Sequence, residues 1–181
     1  MVWFTADTHL GHANIIRTCG RPFPDAPAMD EALLGAINSA VLPDDTLYHL
    51  GDFAWRRAEE YRARIRCRNV VLVLGNHDPQ RRDGQPKDRL LAAFSGVYVA
   101  LRIRADGHTC WLSHYAMRVW PSSHHGSWNL YGHSHGKLPR WAAGMDVGVD
   151  CNGYRPISMP EVVAAIEGGL TAPPRAATLL S

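Results

Sequence analysis

The stretch NVVLVLGNHD at residues 69–78 decides how this chain is read. Val70 to Leu74 is a β-branched and leucine run without polar interruption, the pattern of a central strand in a parallel sheet, buried on both faces. Gly75 lets the backbone turn sharply at the strand end, and Asn76, His77 and Asp78 then present an amide, an imidazole and a carboxylate in succession. Polar side chains just past such a strand lie where open α/β sheets bind ligands. A lone tetrapeptide of this kind also makes an ordinary Asn/Asp turn, so the rest of the chain has to decide between the two.

Outward from this stretch, apolar runs and polar turns alternate at α/β spacing. Upstream, MVWFTAD predicts a strand, ANIIRTC a helix start, and MDEALLGAINSAV an amphipathic helix with Asp30 as N-cap. TLYHLGD predicts a strand ending in a turn, and RRAEEYRARIRCR a helix whose arginines divide between its faces, a solvated surface and not a binding stripe. Downstream, GVYVALRIRADGHTCWLSHYAM predicts two strands joined through ADG, a hairpin signal. WNLYGHSHG and AAGMDVGVDCNGYRP add two short strands, and SMPEVVAAIEGG a closing helix with Pro160 near its first turn and Gly168 at its end. Residues 1–170 are expected to form a single domain, and residues 171–181, rich in Pro and Ala, a loosely ordered tail.

At 181 residues and 46% hydrophobic content the chain suits one domain with a real core. A formal net charge of +2 supplies no polycation for a nucleic acid or membrane surface. The start MVWFTADTHL has no basic region, no continuous apolar run and no cleavage site, so a soluble cytoplasmic protein without membrane contact is expected. The four cysteines are widely separated without a C-x-x-C pair and read as reduced thiols, neither a disulfide framework nor a thiolate zinc site.

The chemistry-bearing residues recur at one kind of place. Asp7 and His9, Asp52, Asn76 and His77, His114, and His133 and His135 each follow an apolar strand by a residue or two. If the strand ends converge on one edge, these oxygen and nitrogen donors converge with them and predict a metal site. The period-2 spacing of Asp7/His9 and of His133/His135 suits strand ends, where alternate residues point to one side. The loop RVWPSSHHGSW, 118–128, is expected to overhang the site, with Trp120, His124 and Trp128 available to stack on a base or aryl group. H-E-x-x-H and His/Cys/Cys signatures of other metal hydrolases and deaminases are absent from the sequence.

The blocks D-T-H (7–9), G-D (51–52), G-N-H-D (75–78), H (114) and G-H-S-H (132–135) together resemble the calcineurin-like metallophosphoesterase superfamily in its small single-domain bacterial and phage form. The resemblance spans about residues 2–167. It implies an α/β four-layer sandwich of two mixed β-sheets packed face to face and flanked by helices. It implies two divalent transition metals, manganese foremost and iron, zinc, nickel or cobalt as alternatives. Asp7, His9, Asp52 and His135 would hold one, and Asp52, Asn76, His114 and His133 the other, with Asp52 as the bridge through its two oxygens. The implied reaction is phosphodiester hydrolysis, with phosphomonoesters as a further substrate, by attack of a metal-bridging hydroxide with His77 as general acid. Arg56 matches the phosphate-binding arginine of the family's G-D-x-x-D-R pattern, whereas Trp55 stands where the protein-phosphatase branch has the Asp that orients the histidine. His12 and Asn14, in the segment LGHANII that recurs in this group, are candidate phosphate donors at a helix start. A nucleotide or a nucleic-acid end is among the substrates the resemblance admits. The alternative is a non-catalytic metal-binding scaffold that keeps the fold as an interaction surface.

Overall fold

The computed structural model describes residues 1–79, 84, 86–139 and 143–169, so the expected tail at 171–181 lies outside the described residues. In chain order the elements are β1 (Val2–Thr5), α1 (Ala13–Cys19), α2 (Ala26–Ala40), β2 (Thr46–His49), α3 (Ala58–Ala63), β3 (Asn69–Val73), α4 (Asp88–Ala93), β4 (Gly96–Tyr98), β5 (Ala100–Ala105), β6 (His108–Ser113), β7 (Trp128–Tyr131), β8 (Gly144–Asp146), β9 (Ile157–Ser158) and α5 (Met159–Gly169). They build two mixed sheets with flanking helices, the α/β class expected. The larger sheet has the order β4-β3-β2-β1-β9, parallel except for β9. The smaller is β5-β6-β7-β8, parallel except for the β5/β6 hairpin.

Two apolar layers explain this arrangement. The residues of α1 to α4 that face inward, among them Ile15, Met29, Leu33, Ile37, Ala58 and Leu90, pack with Leu47, Val70 and Leu72 on one face of the large sheet. Phe4, Leu50 and Val73 on its other side pack with Cys110, Leu112, Trp128, Leu130 and Met145 of the small sheet and with Met159, Val162 and Ile166 of α5. The run from Val70 to Leu74 is buried throughout, as a strand covered on both faces must be. No helix among the described residues is long and apolar enough to cross a membrane.

Several local expectations are corrected. The helix around residue 30 begins five residues earlier: Asp25 is the N-cap, accepting from the Ala28 N–H at 2.8 Å, and a proline occupies the first turn. Asp30 is instead buried within α2, where its carboxylate takes the Gly11 N–H (2.9 Å) and the Tyr61 hydroxyl (2.7 Å). The helix read into 56–68 is confined to Ala58–Ala63, because Arg62 turns back to cap the carbonyls of Ile65, Cys67 and Arg68. The stretch from Gly96 holds three strands, not two: β4 pairs with β3, the chain breaks at Val99, and β5 joins the other sheet. The hairpin at Asp106–Gly107 is present, both residues having positive φ.

Candidate metal centre

The parallel strands β1, β2 and β3 run in one direction, and their C-terminal ends deliver Asp7 and His9, Asp52, and Asn76 and His77 to the same edge. The ends of β6 and β7 deliver His114 and His133/His135 from the second sheet. Beyond the strand ends the first two loops stay zipped together, Asp7 N–H donating to Gly51 O, His9 N–H to Asp52 O and Leu10 N–H to Phe53 O at 2.9–3.0 Å.

The side chains reach one side by a route other than strand alternation. Asp7, His9, Asp52, His133 and His135 all lie past the strands with φ between 46° and 65°, the left-handed region that non-glycine residues rarely occupy. Each such residue costs of order 1–3 kcal/mol, and such conformations concentrate where a site is being shaped. The period-2 spacing therefore does not reflect a pleat; it reflects turns that fold successive ligands inward. The glycines of the motifs allow this close approach. A methyl group on Gly75 would drive into the Asp52 carboxylate and main-chain nitrogen, and one on Gly132 would stand 2.7 Å from Asp7 Oδ2.

Two sets of ligand atoms result. Asp7, His9 and His135 offer atoms that all lie within 4.8 Å of one another, and Asp52, His114 and His133 do the same. Asp52 joins them: its Oδ2 is 3.4 Å from His9 Nε2 and 3.6 Å from His114 Nε2. Its Oδ1 is already engaged, accepting the His77 main-chain N–H at 2.8 Å. Oδ2 is thus the Asp52 oxygen that faces both sets. Asn76 Oδ1 lies beside the second set, 3.2 Å from His114 Nε2.

The tautomers suit ligation. His114 Nδ1 is 2.8 Å from Leu50 O, and since a carbonyl only accepts, that nitrogen carries the proton and leaves the Nε2 lone pair for the centre. His135 Nδ1 donates to Asp150 Oδ2 at 2.7 Å, which frees its Nε2 in the same way. Burial holds His9 near a pKa of about 2, with Arg21, His135, His77 and His12 adding to the effect, and burial also lowers His114. Asp7 is pushed well above the usual carboxylate range by burial and by the neighbouring charges of Asp146 and Asp52. Asp7 Oδ1 and both ring nitrogens of His9 are buried without a hydrogen-bond partner. A buried carboxylate oxygen and a buried imidazole left without partners are costly unless a cation lies among them, so the residues present fit a pair of metal ions.

Partners that the motifs do not announce hold these ligands. Arg21 is buried and donates to Asp7 O (2.6 Å), Thr8 O (3.1 Å) and both oxygens of Asp150 (2.9 and 2.8 Å). Burial alone would raise Asp150, yet the His135 and Arg21 hydrogen bonds hold it below the usual range. A third group within 4.8 Å, Cys19 with His135 and Asp150, shares that hydrogen-bonded pair, and burial pushes the Cys19 thiol up. Asp78 is buried and accepts the N–H groups of Asp52 (2.9 Å), Phe53 (2.9 Å) and Gly75 (2.8 Å), clamping the 51–53 loop to the 75–78 loop. Burial raises its pKa to about 7. Asp78→Ala would remove the shared acceptor of three buried donors; at ~1–3 kcal/mol each, a loss of about 3 kcal/mol or more in stability is expected by urea denaturation. A loss below about 1 kcal/mol would show that the clamp is dispensable.

The residues nominated for substrate fall into three situations. His12 is the residue before α1, and its ring stacks on Trp55 (centroids 4.4 Å, 15° between planes), with His77 6.0 Å away. Asn14 and Arg56 are exposed, and Asn14 Oδ1 accepts from Arg17 at 3.1 Å. Trp120 is corrected: it is buried, its indole N–H donating to the Ser127 carbonyl (3.0 Å), so it seals its own loop and is not available for stacking. Trp128 likewise belongs to the core on β7, and His124 packs on His125 in an exposed turn.

Comparison with known proteins agrees with this geometry. A family model described as calcineurin-like phosphoesterase matches residues 1–142. An uncharacterised protein of Methanocaldococcus jannaschii is 28% identical, over 93% of this chain and 92% of its own. The gene 66 protein of Mycobacterium phage L5 is 31% identical, over 75% and 78%. Among solved structures, a protein of unknown function from Aquifex aeolicus is 26% identical with a TM-score of 0.71, covering 92% of this chain and 99% of that one. A novel archaeal phosphodiesterase shares the fold at 16% identity, with a TM-score of 0.50 over 81% of each chain.

Proposed function

The chain belongs to the calcineurin-like phosphoesterase family, and on that premise we propose that it hydrolyses phosphodiesters, and phosphomonoesters less selectively, with two divalent transition-metal ions. The observation that carries the reading is the pair of ligand sets meeting at Asp52 Oδ2, lined by buried atoms that lack partners. Asp7, His9, Asp52 and His135 would hold one ion, and Asp52, Asn76, His114 and His133 the other. A donor set of oxygen and imidazole nitrogen without sulfur suits manganese and also admits iron, zinc, nickel and cobalt. Bound there, the ions would supply Lewis acidity toward the phosphoryl oxygens and a water acidic enough to act as nucleophile near neutral pH.

The chain's own groups supply the rest. His77 is exposed, its main chain is tied to Asp52 Oδ1, and its ring lies 5.3 Å from the His9 ring. It is placed to hold a proton at the departing oxygen. Trp55, with its ring 5.5 Å from His77 and stacked on His12, orients that imidazole by packing, where the protein-phosphatase branch uses a carboxylate. Arg56 would contribute charge to the phosphate. Retention of every ligand, together with the outer partners Asp150 and Arg21, favours an enzyme over a scaffold.

Exhaustive chelation should abolish hydrolysis of bis-nitrophenyl phosphate, and manganese or another of these metals should restore it. Because the ions bind the folded chain, metal at about a hundred times its Kd should also add ~2.7 kcal/mol of stability, visible as a raised Tm. Full turnover after chelation, or superimposable melting curves with and without metal, would overturn the dinuclear reading.

A further inference from the structure

Resting on that reading, the inference concerns what the substrate carries besides its phosphate. Tyr115 follows His114 directly and stands at the rim of the centre, 51% exposed. Its ring meets His114 edge-on (5.0 Å, 72°) and His133 likewise (4.6 Å, 65°), and its hydroxyl is 3.4 Å from Asn76 Oδ1. Asn76 and Tyr115 are also walls of a cavity of about 580 Å³ that extends away from the ligands over Leu74, Gly75 and Val99. A second cavity of about 340 Å³ continues from it, sharing Leu74 and Val99 and lined further by Leu91 and Tyr98. Val99 is 76% exposed at the break between β4 and β5, and with Leu91, Tyr98 and Tyr115, which are exposed too, it gives the two cavities an apolar rim.

The charges of this trough are as informative as its apolar walls. No lysine or arginine lines either cavity among the described residues. Asp78, in its floor, has its carboxylate turned to three main-chain N–H groups, and Asp88 stands in the outer cavity. Such a trough offers a stacking face and aliphatic walls to a neutral, flat group. Position fixes which ester arm it takes. His77, the group placed at the leaving oxygen, sits beside His9, His12 and Trp55, whereas Tyr115 sits beside His114 and His133, with Asp52 Oδ2 between the two sets.

We propose that the trough from Asn76 and Tyr115 to Val99 binds the retained arm of a phosphodiester, that this arm is an uncharged aromatic group, and that Tyr115 is its stacking platform. The phosphate is then cleaved toward His77 while the aromatic arm stays on Tyr115.

The test compares methyl nitrophenyl phosphate, phenyl nitrophenyl phosphate and nitrophenyl phosphate, three esters with one leaving group, on the manganese-loaded protein. Wild-type protein should favour the phenyl over the methyl diester by about five- to a hundredfold in kcat/KM, mostly through KM, the size of one stacking contact. Tyr115→Ala should erase that preference, the phenyl diester losing at least fivefold more than the methyl diester or the monoester, and Tyr115→Phe should restore it. Saturation-transfer NMR on diphenyl phosphate, which turns over poorly, should show contact to the phenyl protons in wild type and not in Tyr115→Ala. Equal rates on both diesters, or equal losses on all three esters with metal lost, would overturn the subsite. Failure to hydrolyse any ester with any metal would defeat the phosphoesterase reading instead, and the NMR contact would then decide the subsite alone.

Discussion

Asp52→Asn is expected to empty both metal positions together and to abolish hydrolysis. The substitution is nearly isosteric, and its amide oxygen can still accept the His77 N–H that Asp52 Oδ1 accepts at 2.8 Å. What it removes is the charge at Oδ2, which is close to both His9 Nε2 (3.4 Å) and His114 Nε2 (3.6 Å). Asp7 would remain as the only carboxylate among the proposed ligands, against two dications. Loss of an outer hydrogen-bond partner costs ~10–100-fold in metal affinity, so loss of a ligand shared by both ions should exceed 10²-fold at each. Titration calorimetry and metal analysis after gel filtration check this, with far-UV circular dichroism to show that the fold is intact. His114→Ala provides the contrast, because it belongs to one set and should spare the ion held by Asp7, His9 and His135. An Asp52→Asn protein that keeps one metal at wild-type affinity would show that the carboxylate serves a single ion.

The sequence made the central strands and the polar residues at their ends legible for a simple reason. A parallel strand buried on both faces is written as an unbroken apolar run, and its end is marked by the first polar residues after it, as at Val70–Leu74 followed by Asn76. How the ligands are aimed was not legible. The left-handed turns at Asp7, His9, Asp52, His133 and His135 have no signature in residue type, and a pleat explained their spacing equally well. Arg21 and Asp150 were missed because they meet across 129 positions, with no period or motif to join them. Asp78 was visible within GNHD, but its task as acceptor for three backbone N–H groups depends on the 51–53 loop lying against it. Trp120 misled for the opposite reason: an aromatic in a loop beside ligands looks available, and only the packing shows its indole N–H spent on Ser127. The break at Val99 is of the same kind, since a chain leaving one sheet for another reads as one long strand until its pairings are known.

His77→Ala should separate two kinds of substrate. If the imidazole protonates the departing oxygen, its removal will hurt most where that oxygen is a poor leaving group, an alkoxide or a nucleoside hydroxyl. A nitrophenolate leaves without a proton and should be nearly spared. General acid catalysis is worth ~10²–10⁴-fold, which sets the expected gap between unactivated and activated esters. The metals should stay, because His77 contributes its main-chain N–H to Asp52 Oδ1 and belongs to neither set of ligand atoms. Trp55→Ala offers a graded version. It leaves His77 in place but removes the ring 5.5 Å away that packs beside it and stacks on His12, so it should lower turnover of unactivated esters by a smaller factor in the same direction. Equal losses on both ester types in His77→Ala, with metals retained, would mean that the imidazole binds the phosphoryl oxygens in the transition state and not the leaving group. Loss of a metal in that variant would mean that its side chain, 5.3 Å from the ring of His9, closes over the centre as a ligand.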